Sequence, residues 1–309
     1  MAATSIDRRT GLVARTTRDR AMLRGFLERD RLFAAYALCD LEDREFARTR
    51  WGIATIDDEA VALAMEYSGP TPQPMFLSGR SDAIATLLKD VIRPRAAYVS
   101  ATTEVLPAVT HSYRVEPGPP MIRMWVDRAT FQPSPASVER LLPVEVNELN
   151  RLYQLGFAAW LPSAAVAEGV YFGIRVNGTL VAAAGTHVVS RDARLAVVGN
   201  VLTHADHRGR GYAKAVTSAV TAELLRFCDE VVLNVRSDNP PAIAAYRHLG
   251  YVEHCRFEER LIRRTGSPLA DLTAPIRRLF AQRRRAVPAP STSIAQAHPI
   301  DPLADAGTT

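Results

Sequence analysis

The chain has 309 residues, 47% of them hydrophobic, and a formal net charge of +5. That length allows two ordinary domains with real cores, no apolar run approaches membrane-spanning length, and the start (MAATSIDRRTG) lacks the apolar centre of a signal peptide, so a cytoplasmic protein without a membrane partner is expected. The basic excess is local: nine arginines against three acids leave +6 in residues 256–285, the last 24 residues carry −2, and a run of this kind without interleaved aromatics predicts a solvated, partly helical segment and not a nucleic-acid surface.

Residues 1–18 are polar and uneven and are expected to fray. Helical spacing begins at Arg20 and runs through MLRGFLERD and FAAYALCDLE. RWGIATI and AVALAMEY, separated by Asp57, Asp58 and Glu59, predict a hairpin. A strand (MFLSG), a helix (DAIATLLKDVI), a strand (AAYVS), a short helix (EVLPAVTHS) and a closing strand (MIRMWV) complete a first α/β lobe over residues 19–127. Pro133 and Pro135 mark a linker over 128–137. Beyond it, a helical stretch interrupted by Pro143 leads to the loop AAWLP and the short helix AAVAEG. YFGIRV and TLVAAAGTHVV flank Asn177-Gly178, a dipeptide that accepts the positive φ values of a tight hairpin turn. An apolar strand over 196–203 precedes a helix opened by RGRGYA, whose stripe is Ala213, Val216, Val220, Leu224 and Phe227. A strand (EVVLNV), a helix capped by Asn239 with Pro240 behind it, and a strand (RFEERLI) close a second domain over 138–264. Residues 265–285 form the Arg-rich segment, and the Pro-, Ala- and Ser-rich stretch 286–309 is predicted to be disordered.

The chemistry is concentrated where the strand over 196–203 turns into the following helix. Gly209 and Gly211 remove two Cβ atoms there, so a ligand can approach the backbone closely. The first-turn amides have no intrahelical partners and lie at the positive end of the helix dipole, with Arg208 and Arg210 adding charge, which points to a phosphate. No P-loop string occurs in the chain. A dinucleotide fingerprint would need a third glycine where Lys214 stands.

Arg208, Gly211 and Ala213 fit the pyrophosphate loop of the GNAT superfamily of acetyl-CoA-dependent N-acetyltransferases, which this stretch resembles. Asn239, Ala242, Tyr246, Gly250 and Tyr251 are similar to the family's next helix, at the right distance and after a strand. The resemblance implies an α/β (α+β) fold with a mixed, mostly antiparallel twisted sheet flanked by helices. It implies acetyl-CoA as co-substrate and an amine as acceptor, with Val201, Leu202, Thr203, Arg208, Gly209, Arg210, Gly211, Tyr212, Ala213 and Asn239 at the cofactor. It also makes Tyr246 a candidate acid for the departing CoA thiolate, where the residue alone reads sooner as a core tyrosine on the helix's buried face. Asn239 is a helix cap with or without a ligand role. The acceptor-side groups Glu168, His187 and Asp192 are candidates for a base, although in this family water can carry the proton away. Trp160 and Leu161 suggest an apolar wall on that side.

The two halves can be laid on one another, WGIATIDDEAVALAMEY on FGIRVNGTLVAAAGTHV and YVSATTEVLPAVTHSYRVE on NVRSDNPPAIAAYRHLGYVE. Gly79-Arg80-Ser81-Asp82 then stands at the cofactor loop and Ala108 at the position of Tyr246, so the first lobe is expected to keep the fold without the phosphate site. The arrangement is similar to two-lobed members of the superfamily such as mycothiol synthase and glycine N-acyltransferase. Cys39, Cys228 and Cys255, odd in number and widely spaced, predict reduced thiols, and the seven histidines show no metal-ligand spacing, so no metal is expected. Two other readings stay open at this point: a module that binds acetyl-CoA without turnover, and an interaction protein acting through the Arg-rich segment.

Overall fold

The computed structural model describes residues 4–7, 10–69, 72–154 and 161–265; Trp160, the Arg-rich segment beyond Thr265 and the stretch 286–309 lie outside them. In chain order come β1 (Thr4–Asp7), β2 (Leu12–Thr17), α1 (Arg20–Leu27), α2 (Ala35–Cys39), α3 (Asp43–Phe46), β3 (Thr49–Ile56), β4 (Glu59–Tyr67), β5 (Gln73–Gly79), α4 (Ser81–Thr86), β6 (Ala96–Thr102), α5 (Leu106–Thr110), β7 (Tyr113–Val115) and β8 (Met121–Asp127). Then follow β9 (Glu139–Arg140), α6 (Val146–Leu152), α7 (Ser163–Glu168), β10 (Phe172–Val176), β11 (Thr179–Ser190), β12 (Leu195–Thr203), α8 (Tyr212–Leu224), β13 (Glu230–Arg236), α9 (Pro240–His248) and β14 (Val252–Arg264).

These elements form two compact units, each discontinuous in sequence. Among the described residues the first takes those of 4–22, 48–118 and 258–265, and its strands run β1-β2-β3-β4-β5-β6, then the later part of β14, then β7. β1 with β2, β2 with β3, β3 with β4, β4 with β5 and β7 with β14 pair antiparallel, whereas β5 and β6, joined through α4, are parallel. Ala62, Ala64, Leu77, Ala97 and Val99 pack there with Ile84, Leu87, Leu88 and Val91. The second unit takes residues 23–47 and 119–257, with strand order β14 (its first part)-β8-β13-β12-β11-β10-β9. Here β12 and β13, joined through α8, are the parallel pair.

Both units therefore repeat one order: a hairpin, an antiparallel strand, a helical crossover to a parallel strand, a helix and a further strand. Even the hairpin turns agree, since both central residues have positive φ in each, Asp57 (48°) and Asp58 (64°) in the first and Asn177 (51°) and Gly178 (78°) in the second. Such a turn matches the right-handed twist of the strands it joins, and Asp, Asn and Gly are the residues that best tolerate it.

The linear limits read from the sequence, 19–127 and 138–264, differ from the limits of these units. β8 pairs along its whole length with β13, from Asp127↔Glu230 to Met121↔Arg236, and most of α1 with α2 and α3 packs in the second unit. Nothing local in MIRMWV says which sheet it will join. The frayed start is corrected for residues 12–17, which pair with β3 and bury Leu12 and Ala14. In the second unit Ala182 and Ala184 of β11 join one apolar cluster with Val198, Val216, Val220 and Leu224, while Ala183 joins another with Leu149, Tyr153 and Tyr171. That alternation is the two-residue period of a strand covered on both faces. Burial of each of the α8 valines contributes about 1.5–3 kcal/mol.

Candidate active site

The site begins where β12 leaves its parallel neighbour. The two strands pair only from Leu195↔Glu230 to Val198↔Leu233, yet β12 continues to Thr203 and β13 to Arg236. On its other edge β12 stays with β11 as far as Thr203↔Ala182, through a bulge in which Asn200 and Val201 oppose Ala184 alone. Asn200 takes a φ of 52° to make it. A bulge bends its strand and raises the local twist, which accounts for the divergence. Val201, Leu202 and Thr203 are half-buried along this edge, and the Thr203 hydroxyl oxygen is buried without a hydrogen-bond partner among the described residues.

The turn that follows is shaped by two glycines, Gly209 at φ 75° and Gly211 at φ 78°. A Cβ at either would meet nothing within 4 Å, so this cradle is open on the protein side. Gly211 is the N-cap of the 13-residue helix α8 and offers no side-chain cap, which leaves the amides of Tyr212, Ala213 and Lys214 without intrahelical partners. Arg208 donates from Nε to the Thr203 carbonyl (3.4 Å), tying the turn to the strand. Arg210 and Lys214 have no carboxylate partner among the described residues and line a cavity of about 340 Å³ with Gly211, Tyr212 and residues 134–137. The linker is thus a wall of the site, pinned to α8 by the Ser134 amide donating to Ser218 Oγ (2.9 Å); its prolines marked a boundary in the sequence and gave no sign of this. Open glycines, unmatched cations, free helix amides and an orphaned hydroxyl fit a phosphate-bearing ligand with amide groups in its arm.

In the first unit the equivalent turn is closed. A Cβ at Gly79 would lie 2.3 Å from the Val61 carbonyl oxygen, so its glycine serves backbone packing, and Arg80 is engaged by Asp82 at 2.6 Å. Ala108 is buried there.

Asn239 caps α9, its Oδ1 accepting from the Ala242 amide at 3.3 Å, with Pro240 in the first turn. Tyr246, on the same helix, is 6% exposed and packs with Val198, Leu233 and Tyr251. Its hydroxyl makes no hydrogen bond to a described residue, and burial pushes its pKa up to about 12, so the phenol stays protonated and able to donate.

Of the three candidate bases, Glu168 is exposed and paired with Arg44 (2.6 Å), and Asp192 is exposed beyond the end of β11. His187 is different. It is the extra residue of a bulge in β11, and its ring lies so close over Gly199 that a Cβ there would be 2.2 Å from Nε2. Its Nδ1 meets the Tyr36 hydroxyl at 2.6 Å and its Nε2 the Asn200 Oδ1 at 3.1 Å. Asn200 in turn donates from Nδ2 to Tyr171 Oη (3.0 Å), and its carbonyl accepts from Tyr153 Oη (2.7 Å). Nothing in the sequence marks Tyr36, Tyr153 or Tyr171 as partners of this histidine. Asn200, a polar residue inside an apolar strand, was the one detectable signal; Tyr36 stands 151 positions from its partner.

Among the described residues no His, Cys, Asp and Glu side chains group so as to hold a metal ion, and no helix is long and apolar enough to cross a membrane. All three cysteines are free thiols.

Residues 138–251 match the acetyltransferase (GNAT) family. None of the curated proteins matches the chain. Among solved structures, the chain is similar to a GCN5-related N-acetyltransferase from Sphaerobacter thermophilus, at 18% identity and a TM-score of 0.57, covering 85% of this chain and 98% of that one. It is similar to a tandem GNAT protein from the clavulanic acid biosynthesis pathway, at 14% identity and a TM-score of 0.50, covering 83% and 99%. A Drosophila protein shares the fold at 12% identity and a TM-score of 0.61, covering 81% and 98%. At these identities the structural likeness is one of fold, and the segment that matches the acetyltransferase (GNAT) family, residues 138–251, contains the open glycine turn.

Proposed function

We propose that the protein transfers an acetyl group from acetyl-CoA to a primary amine, by direct attack of the amine on the thioester, with a small molecule favoured over a protein as acceptor. The observation that carries this reading is the edge of β12 that parts from β13 after Val198 and runs into the open Gly209–Gly211 turn. The first-turn amides of α8, with Arg210 and Lys214, would hold the pyrophosphate. The free edge of β12 offers backbone groups to the amides of the pantetheine arm, and an N–H among Val201, Leu202 and Thr203 would face the oxygen that becomes negative as the amine adds. The carbon–sulfur bond then breaks, the sulfur takes the proton of Tyr246, and a proton equal to the one shed by the acylated nitrogen returns from solvent to the Tyr246 oxygen. A CoA thiol, with an ordinary thiol pKa about 8.5, needs only modest help to leave. The Asn239 amide nitrogen is a further donor beside the arm.

The test is a thiol-release assay with acetyl-CoA over a panel of primary amines, with mass spectrometry of the products. Acetylated amine in step with released thiol is expected. Tight binding of acetyl-CoA with no release on any amine would make the protein an acetyl-CoA-binding module instead.

A further inference from the structure

Resting on that reading, the hydrogen bonds around Asn200 carry one step more, because they fix which nitrogen of His187 bears a proton. The Tyr171 hydroxyl donates to the Thr186 carbonyl (3.1 Å), so its lone pair receives Asn200 Nδ2. Oδ1 of Asn200 therefore faces His187 Nε2, which must be the protonated nitrogen, and Nδ1 is left as the acceptor of the Tyr36 hydroxyl at 2.6 Å. Tyr36 is half-buried on α2, its ring against the Arg123 guanidinium (5.5 Å). The imidazole lies over Gly199, the residue at which β12 parts from β13, and Asn200 directly precedes the Val201 edge.

We propose that Tyr36 and His187 form a proton relay that strips the proton from the attacking amine. The ammonium N–H breaks as its proton passes to Tyr36 Oη, and the Tyr36 O–H breaks as its own proton passes to His187 Nδ1. The amine lone pair is freed, Tyr36 ends neutral, and the imidazolium has Asn200 Oδ1 as acceptor for Nε2–H. Solvent takes the proton from His187 between turnovers, so no other reactant is needed. Histidine suits the task because its ordinary titration lies nearest neutrality. Tyr36 is the catalytic residue, in contact with the amine; His187 acts through it, and Asn200 is a positioning residue that holds the tautomer.

The experiment compares the full chain with Tyr36→Phe, His187→Gln and the double variant, measuring acetyl-CoA binding, thermal unfolding, and kcat on two acceptor classes. The classes are alkylamines, protonated at pH 7, and weakly basic arylamines, already neutral. Each single variant is expected to lose about 10²-fold or more in kcat on alkylamines, at the lower end of general-base effects. The double variant should lose no more than either single, because the residues act as a unit. Arylamine turnover, acetyl-CoA affinity and melting should move little. Undiminished alkylamine turnover, or an equal loss on both classes, would overturn the relay while leaving the proposed function intact. A wild-type chain that acetylates no amine would refute that function and the relay with it.

Discussion

Replacing Gly211 by Asp separates what the turn costs the fold from what it does for a ligand. At φ 78°, with nothing within 4 Å of a Cβ, the substitution creates no clash. The folded state loses about 1 kcal/mol for one left-handed non-glycine residue, and Asp lies at the mild end. At about 2–4 °C per kcal/mol for a unit of this size, melting falls by a few degrees. Binding should suffer more. A carboxylate about 5 Å from a phosphate charge repels it by roughly 3 kcal/mol at an effective dielectric of 20, and by under about 1 kcal/mol in bulk water. With two phosphates, acetyl-CoA affinity should fall about 10²- to 10⁴-fold, since about 1.4 kcal/mol is a factor of ten. Gly211→Asn has the same shape and the same tolerance of positive φ without the charge, and should bind at least about tenfold more tightly than the Asp variant. Titration calorimetry with parallel melts decides it. If both variants are folded and both bind acetyl-CoA as the wild type does, the turn holds no phosphate and the reasoning fails.

Calorimetry should also give one CoA per chain, because the Gly79 turn is filled by the Val61 carbonyl; two per chain would contradict the closed first unit. Asn239→Ala should lower stability by about 0.5–2 kcal/mol through the lost cap; an accompanying loss of acetyl-CoA affinity, measured on the folded variant, would mark a ligand role as well. Tyr246→Phe should lower kcat roughly ten- to a thousand-fold with acetyl-CoA affinity little changed, around the scale of a general acid. Since the folded pKa of Tyr246 is raised from 10.0 to about 12, its protonated form is the one the fold favours; this stabilisation is complete below pH 10 and lost as pH rises toward 12, as denaturant melts across that range would show.

The parts of the molecule that were legible in the sequence are those with local causes. Asn177-Gly178 names its turn because few residues accept two positive φ values in succession, and the Gly209–Gly211 turn announces an open backbone for the same reason. Asn239-Pro240 starts its helix by side-chain capping and a preset φ. What stayed hidden depends on partners far along the chain. Leu12–Thr17 is six residues of moderate polarity that become a strand only through β3. The helical pattern of residues 20–47 shows which side is apolar and not which sheet it covers. In the sequence His187 is level with Glu168 and Asp192, because its hydrogen bonds to Tyr36, 151 positions away, and to the left-handed Asn200 are made only in the fold. A bulge leaves no pattern in a single sequence beyond an out-of-step residue.

The central claim is that acetyl-CoA lies along the edge of β12 and over the turn into α8, and amide hydrogen exchange on the full chain, with and without acetyl-CoA, tests it most directly. Protection is predicted for the amides of 199–203 and 209–214, with no change around Gly79 to Ala83. Protection confined to the first unit, or none at saturating acetyl-CoA, would contradict the account.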